Sequence, residues 1–272
     1  MRLSIRVSRP RLLPPGTVQN GIFIVSELLI RKLESLGTVG SAERRAILSL
    51  PEKTRSIGPR VDVDTAFNDN EGAGIHWIES GFACRYKFLT DGRRQILCFL
   101  LPGDVLNLRH FISGRPQRPV ASISALQLKA VSSKKLLAIL ERYPSLARVL
   151  WLSTLTEESI GQEWLVSMGL RTAIERMAHL LCELRVRLDA VGLVSDGGFD
   201  LPLTQGELAE ALGLSAVHVN RTLQQLRREG HVAVQNGRVT ILDFESMKQQ
   251  ALFSPAYLNL KQTVQAQAVV HT

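Results

Sequence analysis

The sequence is poor in cysteine and has no long apolar run. Only Cys84, Cys98 and Cys182 occur among its 272 residues, an odd number without the close spacings of disulfide or metal scaffolds. Such a sparse set predicts a reducing, cytoplasmic environment. No apolar run approaches the roughly 18 residues that cross a bilayer, because polar residues interrupt the longest candidate, residues 21–30. A disulfide scaffold and a membrane span are therefore excluded.

Motifs that would indicate catalysis are also missing. The sequence contains no glycine loop that would cradle a phosphate and no nucleophile elbow. The alternative of a metal-binding β-barrel enzyme depends on His76 and His110, and neither has another His or Glu at ligand spacing. We therefore predict no metal, no cofactor and no enzymatic activity.

The net charge of +8 is concentrated near the N-terminus. Residues 1–60 carry eleven Lys and Arg against four Asp and Glu, residues 61–169 twelve against eleven, and residues 170–242 eight against eight. Residues 1–25 lack the apolar core of a secretory signal, so we predict a basic, disordered arm there. Overall charge is therefore weak evidence for nucleic-acid binding, and individual residues must carry that argument.

The hydrophobic pattern changes its period twice along the chain. Residues 23–50 show helical spacing interrupted by glycine, which predicts two helices, and residues 61–128 contain short β-type runs between turn residues. From Ser133 the period is helical again and runs to Ser167, with one break at Pro144. A compact β domain followed by a long helix is therefore predicted.

A hairpin within the β domain bears on the cysteines. If Asp91 and Gly92 form a two-residue turn, Cys84 lies opposite Phe99 on the neighbouring strand, and Cys98 lies opposite Arg85. The two thiols then lie on opposite faces of the hairpin and cannot form a disulfide.

Residues 203–228 have the pattern of a helix-turn-helix. Thr204 and Glu207 form a capping box at the start of a short helix, and Gly213 can adopt the positive φ that ends it. Ser215 caps a second helix, on which Val219, Leu223 and Leu226 recur at the spacing of a buried face.

The opposite face of the second helix has the side chains that reading DNA bases requires. Arginine can bond to guanine and glutamine to adenine through paired hydrogen bonds, and an apolar side chain can contact the thymine methyl group. The rival interpretation is an ordinary solvated surface. The predicted DNA-binding residues are Val217, His218, Arg221, Gln224, Gln225 and Arg228.

Two β-type runs follow, Val232 to Gln235 and Arg238 to Leu242, joined by Asn236 and Gly237. An Asn-Gly pair is a strong hairpin signal, so the helix-turn-helix is predicted to be winged. Arg238 could contact phosphate, although a hairpin arginine is more often solvated. A protein-interaction module is a further alternative, but that face of the second helix lacks the aromatic or aliphatic anchors of protein interfaces.

These motifs resemble the Crp/Fnr family of transcription regulators over roughly residues 28–243. The similarity is most specific in residues 203–228, in the helix that begins at Arg171, and in the β segment from Gly81 through the Pro102-Gly103-Asp104 turn. It implies an α+β fold with a β-roll sensor related to cyclic-nucleotide-binding domains. The implied divisions are an arm (1–25), the sensor domain (26–142), a dimerisation helix (143–168), a winged helix-turn-helix (169–243) and a C-terminal tail (244–272).

The resemblance also implies a mechanism. A homodimer would bind a pseudo-palindromic site in double-stranded promoter DNA and recruit or block RNA polymerase. Val217, Arg221 and Gln224 fall on the base-reading positions, and Val217 replaces the acidic residue common in the family, so the recognised sequence should differ. The predicted dimer-interface residues are Leu146, Val149, Leu150, Ile160 and Trp164.

The sensor departs from the pattern of its ligand-binding relatives. Where cyclic-AMP-binding members carry a Gly-Glu pair and an Arg-Ser or Arg-Ala pair, this sequence has Asn107-Leu108 and a stretch that begins at Pro119. Arg118 could still supply a phosphate ligand. No cysteine precedes Cys84, which excludes the N-terminal iron-sulfur cluster of oxygen-sensing relatives. The effector is therefore unknown and is predicted not to be cyclic AMP.

Cys182 lies in the helix before the helix-turn-helix, among leucines. The simpler interpretation is a small buried apolar residue. The alternative hypothesis is a redox role, in which oxidation of Cys182 disturbs DNA binding.

Overall fold

The computed structural model describes residues 27–50, 53–63, 74–114 and 119–261. The predicted arm, residues 1–25, and Arg118 lie outside the described residues.

The chain begins with the predicted helix pair, α1 (Glu27–Leu36) and α2 (Ser41–Leu48). The break falls at the glycines, where the Gly40 amide donates to the Glu43 carboxylate and so satisfies a free amide at the start of α2.

Two antiparallel three-stranded sheets follow. One has the strand order β1 (Lys53–Ile57), β6 (Leu126–Ser132), β2 (Gly74–Ser80), and the other β4 (Arg94–Leu100), β3 (Ala83–Phe88), β5 (Val120–Ser122). A short helix, α3 (Leu108–Ser113), lies between β4 and β5. Each sheet buries one face in a shared interior, which makes this segment a β-roll.

The β3–β4 hairpin has the predicted pairing at the cysteines, but for a different reason. Cys84 lies opposite Phe99 and Arg85 opposite Cys98. The turn is not the predicted two-residue turn, however, because the Leu89 amide donates to the carbonyl of Arg93. Strand β4 contains a bulge, one extra residue, at the point where it faces Arg85 of β3. The bulge shifts the register by one residue and so restores the predicted pairs.

Two helices leave the β-roll, α4 (Ser133–Arg142) and α5 (Pro144–Leu170). Pro144 separates them as predicted, because proline fits the first turn of a helix but not its interior. At 27 residues, α5 is about 40 Å long at 1.5 Å per residue.

The C-terminal part consists of α6 (Ala173–Asp189), β7 (Gly198–Asp200), α7 (Gln205–Leu212), α8 (Ala216–Arg228), β8 (Val232–Gln235), β9 (Arg238–Ile241) and α9 (Phe244–Ala251). A 3₁₀ turn, Pro255–Leu258, ends it. The strands form one antiparallel sheet in the order β7, β9, β8. Sequence analysis missed β7. It also assigned no structure to residues 244–272, in which α9 and the 3₁₀ turn lie.

One apolar core runs from the β-roll interior, through Ile160 and Trp164 of α5, into α6 and the winged helix. A second core joins α1, α2 and α4 to the first half of α5. The winged helix is therefore packed against the β-roll as well as joined to it by the chain. Among the described residues, no helix is both long and apolar enough to cross a membrane.

Candidate nucleic-acid interface

The helix-turn-helix has the capping geometry that its sequence predicts. The Glu207 carboxylate accepts from the Thr204 amide at 2.7 Å, and the Glu207 amide donates to the Thr204 hydroxyl at 3.1 Å. Gly213 ends α7 with φ +64°. The turn needs glycine for this positive φ, which side chains with a Cβ rarely adopt.

Helix α8 turns one face to the core and the other to solvent. Ser215 accepts from the His218 amide at 3.2 Å and so begins the helix. Val219 and Leu226 are fully buried and Leu223 is partly buried, as predicted, and Thr222 is buried as well.

The residues predicted to read DNA lie on the exposed side of α8. Val217, His218, Arg221, Gln224 and Arg228 are exposed, with 73% of Val217 accessible. Gln225, at the edge, is partly buried and donates to Glu229 at 2.9 Å. In the described part of the chain nothing covers this face, so it is free to enter a major groove.

The wing forms at the predicted turn. Asn236 and Gly237 have φ values of +51° and +77°, and Gln235 pairs with Arg238 across the turn. Both central residues have the positive φ of a tight hairpin turn.

Arg238 has a structural role that sequence analysis missed. Its guanidinium donates to the Ser195 carbonyl at 2.7 Å and to the Gly198 carbonyl at 2.8 Å. Arg238 therefore holds β7 against the wing. These contacts account for an arginine at this position without a contact to DNA phosphate.

The first helix of the motif is docked on the β-roll. Arg94 of β4 pairs with Glu210 at 2.7 Å, and Gln95 donates to the Glu210 carbonyl at 2.6 Å. Arg60 pairs with Glu207 at 3.2 Å. Sequence analysis missed these contacts because their partners are more than a hundred residues apart.

The predicted dimer-interface residues require a correction. All five of them, Leu146, Val149, Leu150, Ile160 and Trp164, are buried in the chain's own two cores. They are therefore unavailable to a second copy. The exposed apolar residues of α5 include Trp151 at 67%, Leu155 at 50% and Leu165 at 74%.

Cys182 does not have the environment of a redox-sensitive thiol. Its side chain is fully buried in α6. Burial raises the pKa of the Cys182 thiol to about 12, so the reactive thiolate is scarce at neutral pH. The structure therefore supports the packing interpretation over the redox hypothesis. Cys84 and Cys98 are also buried free thiols, and burial raises the pKa of each to about 12.

The pocket between the β-roll and α5 is lined by paired charges. Lys32 of α1 pairs with Asp104 at 2.9 Å, and Arg187 of α6 reaches Asp104 at 2.8 Å. Glu157 of α5 pairs with Arg85. Each of these cations therefore has an anionic partner within the protein.

Asn107, at a position where cyclic-AMP-binding relatives carry ribose ligands, is buried and committed to the fold. Its amide donates to the Gly74 carbonyl at 2.6 Å, and its oxygen accepts from the His76 amide at 2.9 Å. Burial and the Arg55 charge lower the pKa of His76 to about 4. Among the described residues, no group of three or more His, Cys, Asp or Glu could hold a metal ion.

A capped, winged helix-turn-helix with a solvent-facing basic face, docked on a β-roll across a long helix, defines a two-part DNA-binding regulator. The sequence model of the Crp-like helix-turn-helix domain matches residues 175–250. The nitrogen fixation regulation protein FixK of Bradyrhizobium diazoefficiens is 31% identical over 82% of this chain and 92% of its own. The transcriptional activator protein FnrL of Cereibacter sphaeroides is 32% identical over 64% of this chain and 71% of its own.

A solved structure is similar over most of the chain. FixK2 from Bradyrhizobium japonicum superposes with a TM-score of 0.63 at 26% identity, over 74% of this chain and 98% of that one. The chain belongs to the Crp/Fnr family of transcription regulators. The predicted α+β fold, with a β-roll, a long helix and a winged helix-turn-helix, is thereby confirmed. The relatives are regulators of transcription, which removes the enzyme alternative.

Proposed function

We propose that two copies of this chain bind a pseudo-palindromic promoter site, each placing α8 in the major groove. Val217, Arg221 and Gln224 read base edges, with His218, Gln225 and Arg228 at the margins of the contact. The exposed face of α8, opposite its buried face, is the observation that carries this proposal. Centres of the two half-sites lie about 34 to 36 Å apart.

The bound dimer recruits or blocks RNA polymerase, and the β-roll biases the winged helix toward or away from the DNA-binding geometry. The paired charges in the β-roll pocket and the internal role of Asn107 support an effector other than cyclic AMP, or none.

Selection from a pool of random duplexes, followed by sequencing of the bound fraction, tests this function. We expect a palindromic consensus with one helical turn between half-site centres, and affinity that falls steeply with salt because phosphate contacts release counterions. A bound fraction without any consensus would contradict sequence-specific reading.

The exposed side of α5 supplies a different dimer interface from the one predicted. Arg148, Trp151, Leu155, Glu158, Gln162 and Leu165 alternate in steps of three and four residues and are all exposed. This is the spacing of a two-stranded coiled coil. The polar residues in this seam are of the kind that fixes register at some cost in stability.

We expect Leu165→Glu to weaken the dimer strongly. In a parallel pair the two introduced carboxylates would face each other, and like charges across an interface cost several kcal/mol. The dimer dissociation constant should rise about a hundredfold or more. Sedimentation velocity measures this, with Leu165→Met as the control because it keeps an apolar side chain there. An unchanged dimer in the Glu variant would place the interface elsewhere.

A further inference from the structure

The residues after the winged helix return to the β-roll part of the molecule. We call residues 252–261 the C-terminal strap. It begins where α9 ends, at Leu252 with φ +49°, and the Phe253 amide donates back to Lys248 of α9 at 2.9 Å. The strap is thus firmly attached to the winged helix at its first residues.

Its middle is fastened to α6 by aromatic and polar contacts. Tyr257 stacks on His179 with ring centroids 5.8 Å apart, and Phe253 meets the same ring edge-on at 5.2 Å. The Tyr257 hydroxyl donates to Glu183 at 3.0 Å. Leu258 is only 1% exposed. This part of the strap is therefore built into the core.

Its end crosses α5 and reaches α1. The Asn259 side chain donates to the Thr156 hydroxyl of α5 at 3.2 Å. The Lys261 amide donates to the Ser35 carbonyl of α1 at 2.8 Å. Between them Leu260 packs against both apolar cores. The strap thus ties the winged helix to the helix at the start of the β-roll part.

This tie is separate from the chain connection between the two parts. Helix α5 ends at Leu170 and α6 begins at Ala173, so two residues, Arg171 and Thr172, join them. Rotation about this short junction would change the direction of α8, and the attachment at Ser35 restricts that rotation together with the Arg94–Glu210 and Arg187–Asp104 pairs. The reading face of α8 stays exposed in the strapped arrangement, so the strap does not act by covering it.

We propose that the C-terminal strap fixes the orientation of the winged helix on the β-roll part, and thereby sets the half-site spacing that the dimer accepts. The proposal rests on the dimeric DNA reading described above. A dimer can bind both half-sites at once only when both α8 helices are correctly spaced. Without the strap each winged helix samples more orientations, and the fraction of dimers ready to bind falls.

The test compares two shortened chains. One ends after Leu258 and lacks the contacts to Thr156 and Ser35 and the packing of Leu260, and the matched control ends after Lys261 and keeps them. A third variant, Leu260→Asp in the full chain, removes the packing without shortening. The affinity of each protein is measured for the selected operator and for versions with two base pairs inserted or removed between the half-sites. Circular dichroism checks that each protein is folded.

We expect the full chain and the control to bind the respaced operators at least about a hundredfold more weakly than the selected one. The chain that ends after Leu258 should bind the selected operator about tenfold more weakly, because fewer dimers are preorganised. It should also lose about tenfold of the spacing discrimination, and Leu260→Asp should follow it. Unchanged affinity and discrimination in these folded variants would overturn the proposal.

A second measurement tests the orienting role of the strap without DNA. Spin labels at Thr54→Cys in β1 and Gln235→Cys at the wing, in protein diluted with unlabelled subunits, report the distance between the two parts. Both positions are exposed. We expect a broader distance distribution when the chain ends after Leu258 than when it ends after Lys261. Equal distance distributions would overturn the proposal that the strap fixes the winged helix. A full chain that binds no palindrome would instead overturn the proposed function.

Discussion

Replacing Arg221 with alanine should relax the operator consensus at one symmetric pair of positions and weaken operator binding about thirtyfold or more. Arg221 is exposed at the middle of α8, opposite the buried Val219. A paired contact between arginine and guanine is worth about 1 to 3 kcal/mol, and a palindrome loses it twice. Selection and sequencing with the variant identifies the relaxed positions, and titration of the selected operator gives the loss of affinity.

The matched control is Arg227→Ala on the same helix. Arg227 is also exposed, but it lies about 120° around α8 from Arg221, since each residue turns the helix by 100°. The Arg227→Ala variant removes the same charge but no base contact, so the operator consensus should stay unchanged. Loss of a phosphate contact would lower the salt slope by about one unit instead. If the two variants gave the same consensus and the same affinity, Arg221 would not read bases.

The features that sequence analysis predicted correctly are those that local chemistry determines. Thr204, Glu207 and Gly213 lie within ten residues of one another, and their capping and turn geometry follows from residue type. The wing follows in the same way from Asn236 and Gly237. The cysteine pairing was correct for a wrong reason, because a bulge in β4 compensates for a longer turn.

The proposed dimer face of α5 could not be predicted because both sides of that helix carry apolar residues. Hydrophobic spacing identifies the side chains that avoid water, but it does not say whether the chain's own core or another copy covers them. Leu150 packs in the second core, whereas the next residue, Trp151, is exposed. The stronger apolar stripe is covered by the chain's own two cores, and the weaker one stays exposed.

The buried contacts between the two parts are also invisible in the sequence. Arg187 and Asp104 are 83 residues apart, and Arg187 and the Phe99 carbonyl to which it donates are 88 residues apart. No local pattern relates such residues, and an arginine in a helix is usually solvated.

Replacing Arg187 with methionine should cost about 3 to 5 kcal/mol of unfolding free energy, since it leaves the buried Glu183 without its cation and Asp104 with Lys32 alone. The Arg187 guanidinium donates to Asp104 at 2.8 Å, to Glu183 at 3.0 Å and to the Phe99 carbonyl at 2.9 Å. Glu183 is fully buried, and it also accepts from Trp164 at 2.9 Å. The residue therefore joins α6 to the β-roll through charges that water cannot screen.

The loss of unfolding free energy in Arg187→Met should depend on pH. Burial raises the pKa of Asp104, but the Lys32 and Arg187 charges outweigh it and hold that pKa below its ordinary value. In the wild type this carboxylate stabilises the fold above its unfolded pKa, about 3.9, and the contribution disappears as pH falls through the lower folded pKa. Without Arg187 the Asp104 carboxyl keeps only the Lys32 charge and its pKa rises, so protonation of Asp104 relieves the variant as pH falls toward 5.

Urea unfolding at pH 7.5 and pH 5 measures both effects, and the difference between variant and wild type should be smaller at pH 5. Arg185→Met is the matched control on the same helix. Arg185 lies over the Phe244 ring at 4.0 Å, and its loss should cost only about 1 kcal/mol with little dependence on pH. If Arg187→Met cost no more than this control, the carboxylates would have found other partners, and the charges would not hold the two parts together.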